Sequence, residues 1–315
     1  MYKHKKIAVI IPAMNEETLL PLTLKGIPKY VDHIFVINDG STDGTSTFLG
    51  DFAKKNKRLT IITHETNKGL GQSLIDGYCA SLAEESIEYT AVMAGDNQMH
   101  PDDLHILLDA LIERDLDYVK GNRLLHANVV EKMPRYRLIG NSILTILTKF
   151  ATGYYFVMDP QCGYTVIKNT ALAKIPIKDM KKGFGYNADI LCMLNIQGCK
   201  ADDVEIRPVY GDEKSKIKLW KYIPEVSCLL IRLFFRRLWK RYIVRDFNPL
   251  VLFYGFSFFL SIFVVIPLIV RFFVLYNRYG QAPQTTLIIL VFVAFFAFQS
   301  MLFAIWMDMD YNKRR

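Results

Sequence analysis

The chain has 315 residues, 51% of them hydrophobic, and a net charge of +8. Its five cysteines are scattered without a CxxC pair, which excludes a disulfide frame or a cysteine zinc site and fits a reducing compartment. The basic excess abuts apolar runs near the C-terminus, so it points to anionic lipid and not to nucleic acid, for which no aromatic strand motif is present.

Taken in chain order, "MYKHKK" runs straight into a strand, "KIAVIIPA", so no secretory signal is expected. "NEETLLPLTLKGI" reads as a helix entered through Asn15 as its N-cap. Next come strand "HIFVINDG", a Gly-rich turn, a helix near 45–55 and strand "RLTIITH". Leu70, Leu74, Tyr78 and Leu82 recur every fourth residue and mark one helical face. Strand "YTAVMAG", helix "PDDLHILLDALIER" with Pro101 in its first turn, and strand "DYVKGNR" complete the series. Apolar strands alternating with helices predict an α/β fold with a mainly parallel sheet covered on both faces.

In such sheets ligands bind at the carboxyl ends of the strands. The polar clusters fall there: Asn15-Glu16, Asn38-Asp39, Asn67-Lys68, Asp96-Gln98 and Gly121-Arg123. Neither GxGxxG after strand one nor GxxxxGK[ST] occurs, which excludes the phosphate loops of dinucleotide oxidoreductases and P-loop NTPases. Asp39 in "VINDGSTDGT" can accept hydrogen bonds from a nucleobase, although a solvated turn has the same composition.

Residues 216–246 mix bulky apolar residues with cations and predict two interfacial helices around Pro224. Two uncharged runs follow, about 250–272 and 285–307, each long enough to cross a hydrocarbon core of roughly 30 Å. They predict a transmembrane hairpin in a plasma or ER-type membrane. Arg232, Arg236, Arg237, Lys240, Arg241 and Arg245 before the first span, and the tail "NKRR" after the second, place both flanks and the catalytic domain in the cytoplasm. The expected division is 1–215 catalytic, 216–246 juxtamembrane and 247–315 membrane hairpin, the last rich enough in Phe to pack against copies of itself.

"VIIPAMNEE", "VINDGSTDGT", "NKGLGQSLIDGY", "GDNQMHPDDL" and "GNR", in this order and spacing, resemble family 2 glycosyltransferases, and within them the polyprenyl-phosphate type such as dolichol-phosphate mannose synthase. The resemblance covers about residues 6–220. It implies a GT-A, Rossmann-like fold and inverting transfer of a hexose from a UDP- or GDP-sugar to undecaprenyl or dolichyl phosphate, with Mg²⁺ or Mn²⁺. Pro12, Ala13, Asn15, Glu16, Asp39, Lys68, Gly69, Asp96, Ser215 and Lys216 would then bind the donor. Asp96 and Gln98 match metal ligands, while Ala94 stands where the family carries the first Asp of its Asp-x-Asp pair. Arg123, Arg137 and Asn141 match positions that hold the acceptor phosphate, and Lys216 joins Asp96, Arg123 and Asp159 as the residues expected to serve the reaction. Asp159 in "MDPQCGY" marks the expected reaction centre; Asp189 is a second acidic candidate or a helix N-terminal charge. Two further readings stay open: a membrane enzyme that extends a lipid-linked saccharide or glycolipid, and a non-catalytic nucleotide-sugar binder, suggested by Ala94.

Overall fold

A computed structural model of the chain describes residues 1–124, 135–183, 185–207 and 219–313. It divides into two compact units, Met1–Arg237 and Leu238–Arg315.

The first unit is built on a seven-stranded sheet of order β3-β2-β1-β4-β6-β5-β7. Its strands are β1 (Ile7–Ala13), β2 (His33–Asp39), β3 (Leu59–His64), β4 (Tyr89–Val92), β5 (Tyr118–Asn122), β6 (Thr165–Lys168) and β7 (Ala201–Glu205). All neighbouring pairs are parallel except those of β6, which runs antiparallel to both β4 and β5. Successive side chains of a strand point to opposite faces, and β1 feeds both cores. Ile7, Val9 and Ile11 pack with Leu20 and Leu24 of α1 (Leu20–Gly26), Leu49 of α2 (Thr45–Lys55) and the leucines of α4 (Leu104–Glu113). Ala8 and Ile10 pack with Leu74, Ile75 and Tyr78 of α3 (Leu70–Ala83). An alternating strand cannot serve two cores, which is why β1 reads as an unbroken apolar run. Leu70, at the start of the predicted α3 face, is exposed.

Three more helices complete this unit's far side: α5 (Arg135–Thr152), α7 (Tyr186–Ile196) and α8 (Leu219–Trp239), with the short α6 (Asn169–Leu172) after β6. Where the sequence predicts two helices around Pro224, α8 is one helix with that proline inside it. Proline there removes one backbone hydrogen bond. Burial of Val226, Leu230 and Leu233 against Ala151, Ala188 and Cys192 holds the helix together. Fully buried Arg237 adds a clamp: its guanidinium donates to the carbonyls of Phe150 (2.9 Å) and Ala151 (3.2 Å) at the C-terminal end of α5.

The second unit holds two 30-residue helices, α9 (Leu250–Tyr279) and α10 (Gln284–Lys313), both long and apolar enough to cross a bilayer. A wider π-turn over Ser261–Val265 precedes Pro267 in α9. That turn accommodates the ring and the missing N–H, so the proline does not break the helix. Gly280, at φ +67°, ends α9 in the left-handed conformation that glycine adopts freely. Between the helices Ser257 Oγ donates to the Ala297 carbonyl at 2.8 Å, as small polar residues do where two apolar helices approach. Within this unit Tyr242, Asp308 and Asn312 form a buried polar knot: the phenol donates to Asp308 Oδ1, and the Asn312 amide bonds both.

Candidate active site

The carboxyl ends of β1, β2 and β4 meet through their turns. Two asparagines, Asn15 and Asn97, sit at φ +58° in these turns, a conformation Asn tolerates better than most residues. Asn15 therefore does not cap α1, which begins five residues later without a side-chain cap. Instead its Oδ1 accepts the Thr42 N–H at 2.8 Å, and its own N–H donates to Ser41 Oγ. Glu16 N–H donates to Thr45 Oγ1, so the β1 turn is stitched to the β2 turn. Gly40, at φ +69°, allows the close crossing with the next loop: a Cβ there would stand 2.6 Å from the Asn67 nitrogen.

Asp39 closes the base of this wall. Its Oδ1 receives the Lys68 N–H at 2.8 Å and faces His64 Nδ1 at 2.7 Å; its Oδ2 receives the Gly69 N–H at 2.9 Å. Burial raises its proton affinity, but these bonds to His64, Lys68 and Gly69 outweigh that and hold the carboxyl below its ordinary range. On its far side His64 Nε2 meets Asp76 Oδ2 at 2.9 Å, and Gln72 donates to Asp76 Oδ1 at 3.0 Å.

Asp96 follows β4 in the next turn. Pro12 and Ala13 lie beside the preceding Gly95, where a Cβ would stand 3.2 Å from the Pro12 carbonyl and 3.4 Å from Ala13 Cβ. Asp96 Oδ1 accepts the Gln98 N–H at 3.0 Å. Burial pushes this carboxyl above its usual range, and among the described residues no cation pairs with it. A half-buried carboxylate without a counter-charge, with an amide two residues on, suits a divalent cation. No group of three His, Cys, Asp or Glu that could hold a metal occurs among the described residues, so those residues would supply only part of a ligand shell.

Beyond Asp96 the turn reaches a second polar centre. Met99 lies 3.0 Å from where a Cβ on Gly163 would stand, and the Tyr164 hydroxyl donates to the His100 carbonyl at 3.2 Å. The neighbouring Asp159, 2% exposed, takes the Arg123 guanidinium as a fork: Nε to Oδ2 at 2.9 Å and Nη2 to Oδ1 at 3.4 Å. It also accepts the backbone N–H groups of Arg123 and Cys162. All four of these contacts to its carboxylate are accordingly spent on holding its neighbours, three on Arg123 and one on the turn at Cys162. The guanidinium itself is about a third exposed.

Two residues that sequence reasoning does not single out, Asp203 and Lys120, hold this centre. Asp203 of β7 accepts the backbone N–H groups of Met158 and Asp159 and the Asn122 side chain; burial raises its proton affinity. Lys120 of β5 is fully buried and donates to the Cys162 carbonyl at 2.6 Å and to Asn187 Oδ1 at 3.1 Å. Burial pushes Lys120 down to about 8. An unfolded lysine titrates near 10.4, so the native state holds fewer protons between about pH 8 and 10.4. Stability contributed by this group therefore rises with pH across that window, by about 3 kcal/mol at most. Lys120→Met is expected to flatten that rise, read as the difference between its denaturation midpoints and those of the natural chain from pH 7 to 9.5, below the range where tyrosines titrate.

Asp189 lies apart from these contacts: it accepts the Lys181 N–H at 2.8 Å and pairs with the Arg236 guanidinium, fastening α7 to α8. The side chains of Arg137 and Asn141, both on α5, and all of Lys214, Ser215 and Lys216 lie outside the described residues.

The family model described as glycosyl transferase family 2 matches residues 8–175. The chain belongs to that family. An uncharacterised protein of Methanocaldococcus jannaschii is 33% identical over 72% of this chain and 98% of its own length. The UDP-N-acetylglucosamine–dolichyl-phosphate N-acetylglucosaminyltransferase of Methanococcus voltae is 26% identical, over 66% of this chain and 87% of that protein. Polyprenol monophosphomannose synthase of Mycolicibacterium smegmatis is 28% identical over 59% and 71%. Among solved structures, glucosyl-3-phosphoglycerate synthase from Mycobacterium tuberculosis, in complex with Mn²⁺ and UDP, superposes with a TM-score of 0.54 at 18% identity, over 74% of this chain and 80% of that one. That likeness establishes the fold and confirms the GT-A-like sheet expected from the sequence.

Proposed function

We propose that the protein transfers a hexose, with inversion, from a nucleotide sugar to a polyprenyl phosphate at the cytoplasmic face of a membrane. The observation that carries this reading is the pair of centres bridged by Met99 and Gly163. One holds an uncompensated carboxylate, Asp96; the other holds a guanidinium, Arg123, locked by Asp159. The first suits a cation-bound diphosphate and the second an acceptor phosphate. Relatives named for dolichyl-phosphate and polyprenol monophosphate chemistry support the acceptor.

The donor lies along Pro12, Ala13, Asn15, Glu16, Asp39, Lys68 and Gly69, with its diphosphate toward Asp96, Gln98 and the segment carrying Ser215 and Lys216. Bound by Asp96, the Gln98 amide and the donor's own phosphates, Mg²⁺ or Mn²⁺ would neutralise charge on the leaving nucleotide. Arg123, with Arg137 and Asn141, orients the acceptor phosphate, and Asp159 works through Arg123. One phosphate oxygen attacks the anomeric carbon from the face opposite the nucleotide, forming the new C–O bond as the bond to the diphosphate breaks. A phosphate monoester is largely dianionic at neutral pH, so no side chain has to remove a proton. An acceptor hydroxyl would need a base, and the oxygens of Asp159 are already engaged; this argues against the saccharide-extending reading.

The two long apolar helices suit an acceptor whose tail lies in a bilayer. So does α8, which exposes Ile231 and Phe235 beside exposed Arg232. Full-length protein in detergent, given labelled nucleotide sugars, Mn²⁺ and undecaprenyl or dolichyl phosphate, should yield a lipid-phosphate sugar labile to mild acid. Product only on a lipid-linked saccharide would replace this reading with the extending enzyme. Nucleotide binding without product would replace it with a non-catalytic binder.

A further inference from the structure

We infer that the donor's base is uracil and not guanine, and that the Asp39–His64–Asp76 network makes the selection. This rests on the donor placement proposed above. An ionised carboxylate has about four acceptor positions, two on each oxygen. On Asp39 Oδ1 both are taken, by the Lys68 N–H at 2.8 Å and by His64 Nδ1 at 2.7 Å. Whichever atom carries the hydrogen between Asp39 and His64, that position of Oδ1 is used. Oδ2 holds the Gly69 N–H at 2.9 Å and, among the described residues, keeps one position.

His64 cannot turn aside to release Oδ1. Its ring is buried, its second nitrogen is held by Asp76, and Asp76 is held in turn by Gln72. The Lys68 and Gly69 N–H groups are backbone at the entry to α3, where a Cβ on the adjoining Gly71 would stand 2.2 Å from the Lys181 carbonyl, so that loop is fixed by packing. Asp39 is only 4% exposed, so little of its carboxylate is open to a base.

Guanine meets a carboxylate through two adjacent donors, N1–H and the 2-amino group, and that fork needs an open position on each oxygen. Uracil offers one donor, N3–H, flanked by carbonyls. The single position on Oδ2 matches uracil and leaves one guanine donor unpaired in a desolvated slot, which is costly. His64 and Asp76 act as positioning residues in this scheme. They touch no part of the base and set which oxygen is open to it.

The test changes the ligand and not the protein, so folding is not at issue. Full-length protein with Mn²⁺ is titrated calorimetrically with UDP, GDP and N3-methyl-UDP. UDP is expected to bind at least about tenfold more tightly than either of the others, the worth of one hydrogen bond to a charged acceptor. GDP binding as tightly as UDP, or N3-methyl-UDP matching UDP, would overturn the assignment while leaving the donor site in place. Failure of both UDP and GDP to bind would overturn the donor placement itself.

Discussion

Asp96→Asn is expected to cut transfer by about 10²–10³-fold while raising the thermal midpoint of the protein without ligands. The two effects share one cause. Burial lifts the proton affinity of this carboxyl, and no described cation offsets it. A folded-state value above the unfolded one means that the ionised group subtracts stability at neutral pH. That deficit shrinks as pH falls through the raised folded value and is gone below the ordinary carboxylate value. Asparagine keeps the shape and the acceptor for the Gln98 N–H without the charge, so the unliganded protein gains. Destabilised groups of this kind are common where a site awaits a ligand. Adding Mn²⁺ together with a nucleoside diphosphate should raise the midpoint of the natural chain and leave that of the variant nearly unmoved. Mn²⁺ alone should do little to either, because one carboxylate and one amide are a poor shell without the donor's phosphates. Undiminished transfer by Asp96→Asn, or by the natural chain in EDTA, would remove Asp96 from the role of metal ligand.

How much of this was legible in the sequence depends on what each residue does. β1, β2 and the helices after them were readable because burial on two faces demands continuous apolar strands, and Ile7 to Ile11 have no other use. The reversal at β6 was not readable: Thr165–Lys168 is four residues long, and its direction is set by pairing with β4 and β5. Asn15 was placed correctly at the end of β1 but in the wrong local role. Helix capping and a left-handed turn favour the same residue type, and only φ separates them.

The same division runs through the candidate site. Asp39, Asp96 and Arg123 stand at strand ends, where a polar residue after an apolar run has few structural uses, so position alone marked them. Lys120 and Asp203 lie within strands, and the single charge of "YVKGN" or the acidic run of "ADDVE" reads as solvated. Their partners are 42 or more residues away for Lys120 and 44 or more for the turn that Asp203 holds. Nothing local could reveal them. Asp159 is legible as a candidate, yet its work is not, because all four contacts to its carboxylate concern Arg123, 36 residues away, or the adjoining turn.

Asp159→Asn and Arg123→Ala are each expected to raise the KM for polyprenyl phosphate by roughly 10²-fold, a loss of about 2–3 kcal/mol, with the donor KM unchanged. The double variant should be little worse than Arg123→Ala. If Asp159 serves the acceptor only by holding the guanidinium, removing it from a chain that already lacks the guanidinium has nothing further to disturb, and strongly coupled residues fail to add in this way. A carboxylate that instead removed a proton from an acceptor hydroxyl would behave differently. Asp159→Asn would then lower kcat at saturating acceptor and abolish the acidic limb of the pH–rate profile, and its effect would add to that of Arg123→Ala. Arg123→Lys separates charge from geometry, since lysine keeps the cation but cannot form the fork to both oxygens of Asp159. An acceptor KM for Arg123→Lys close to that of Arg123→Ala would place the effect in the orientation that Asp159 imposes. Full recovery by lysine would place it in charge alone, and Asp159 would then be no more than an anchor for the turn that ends at Cys162.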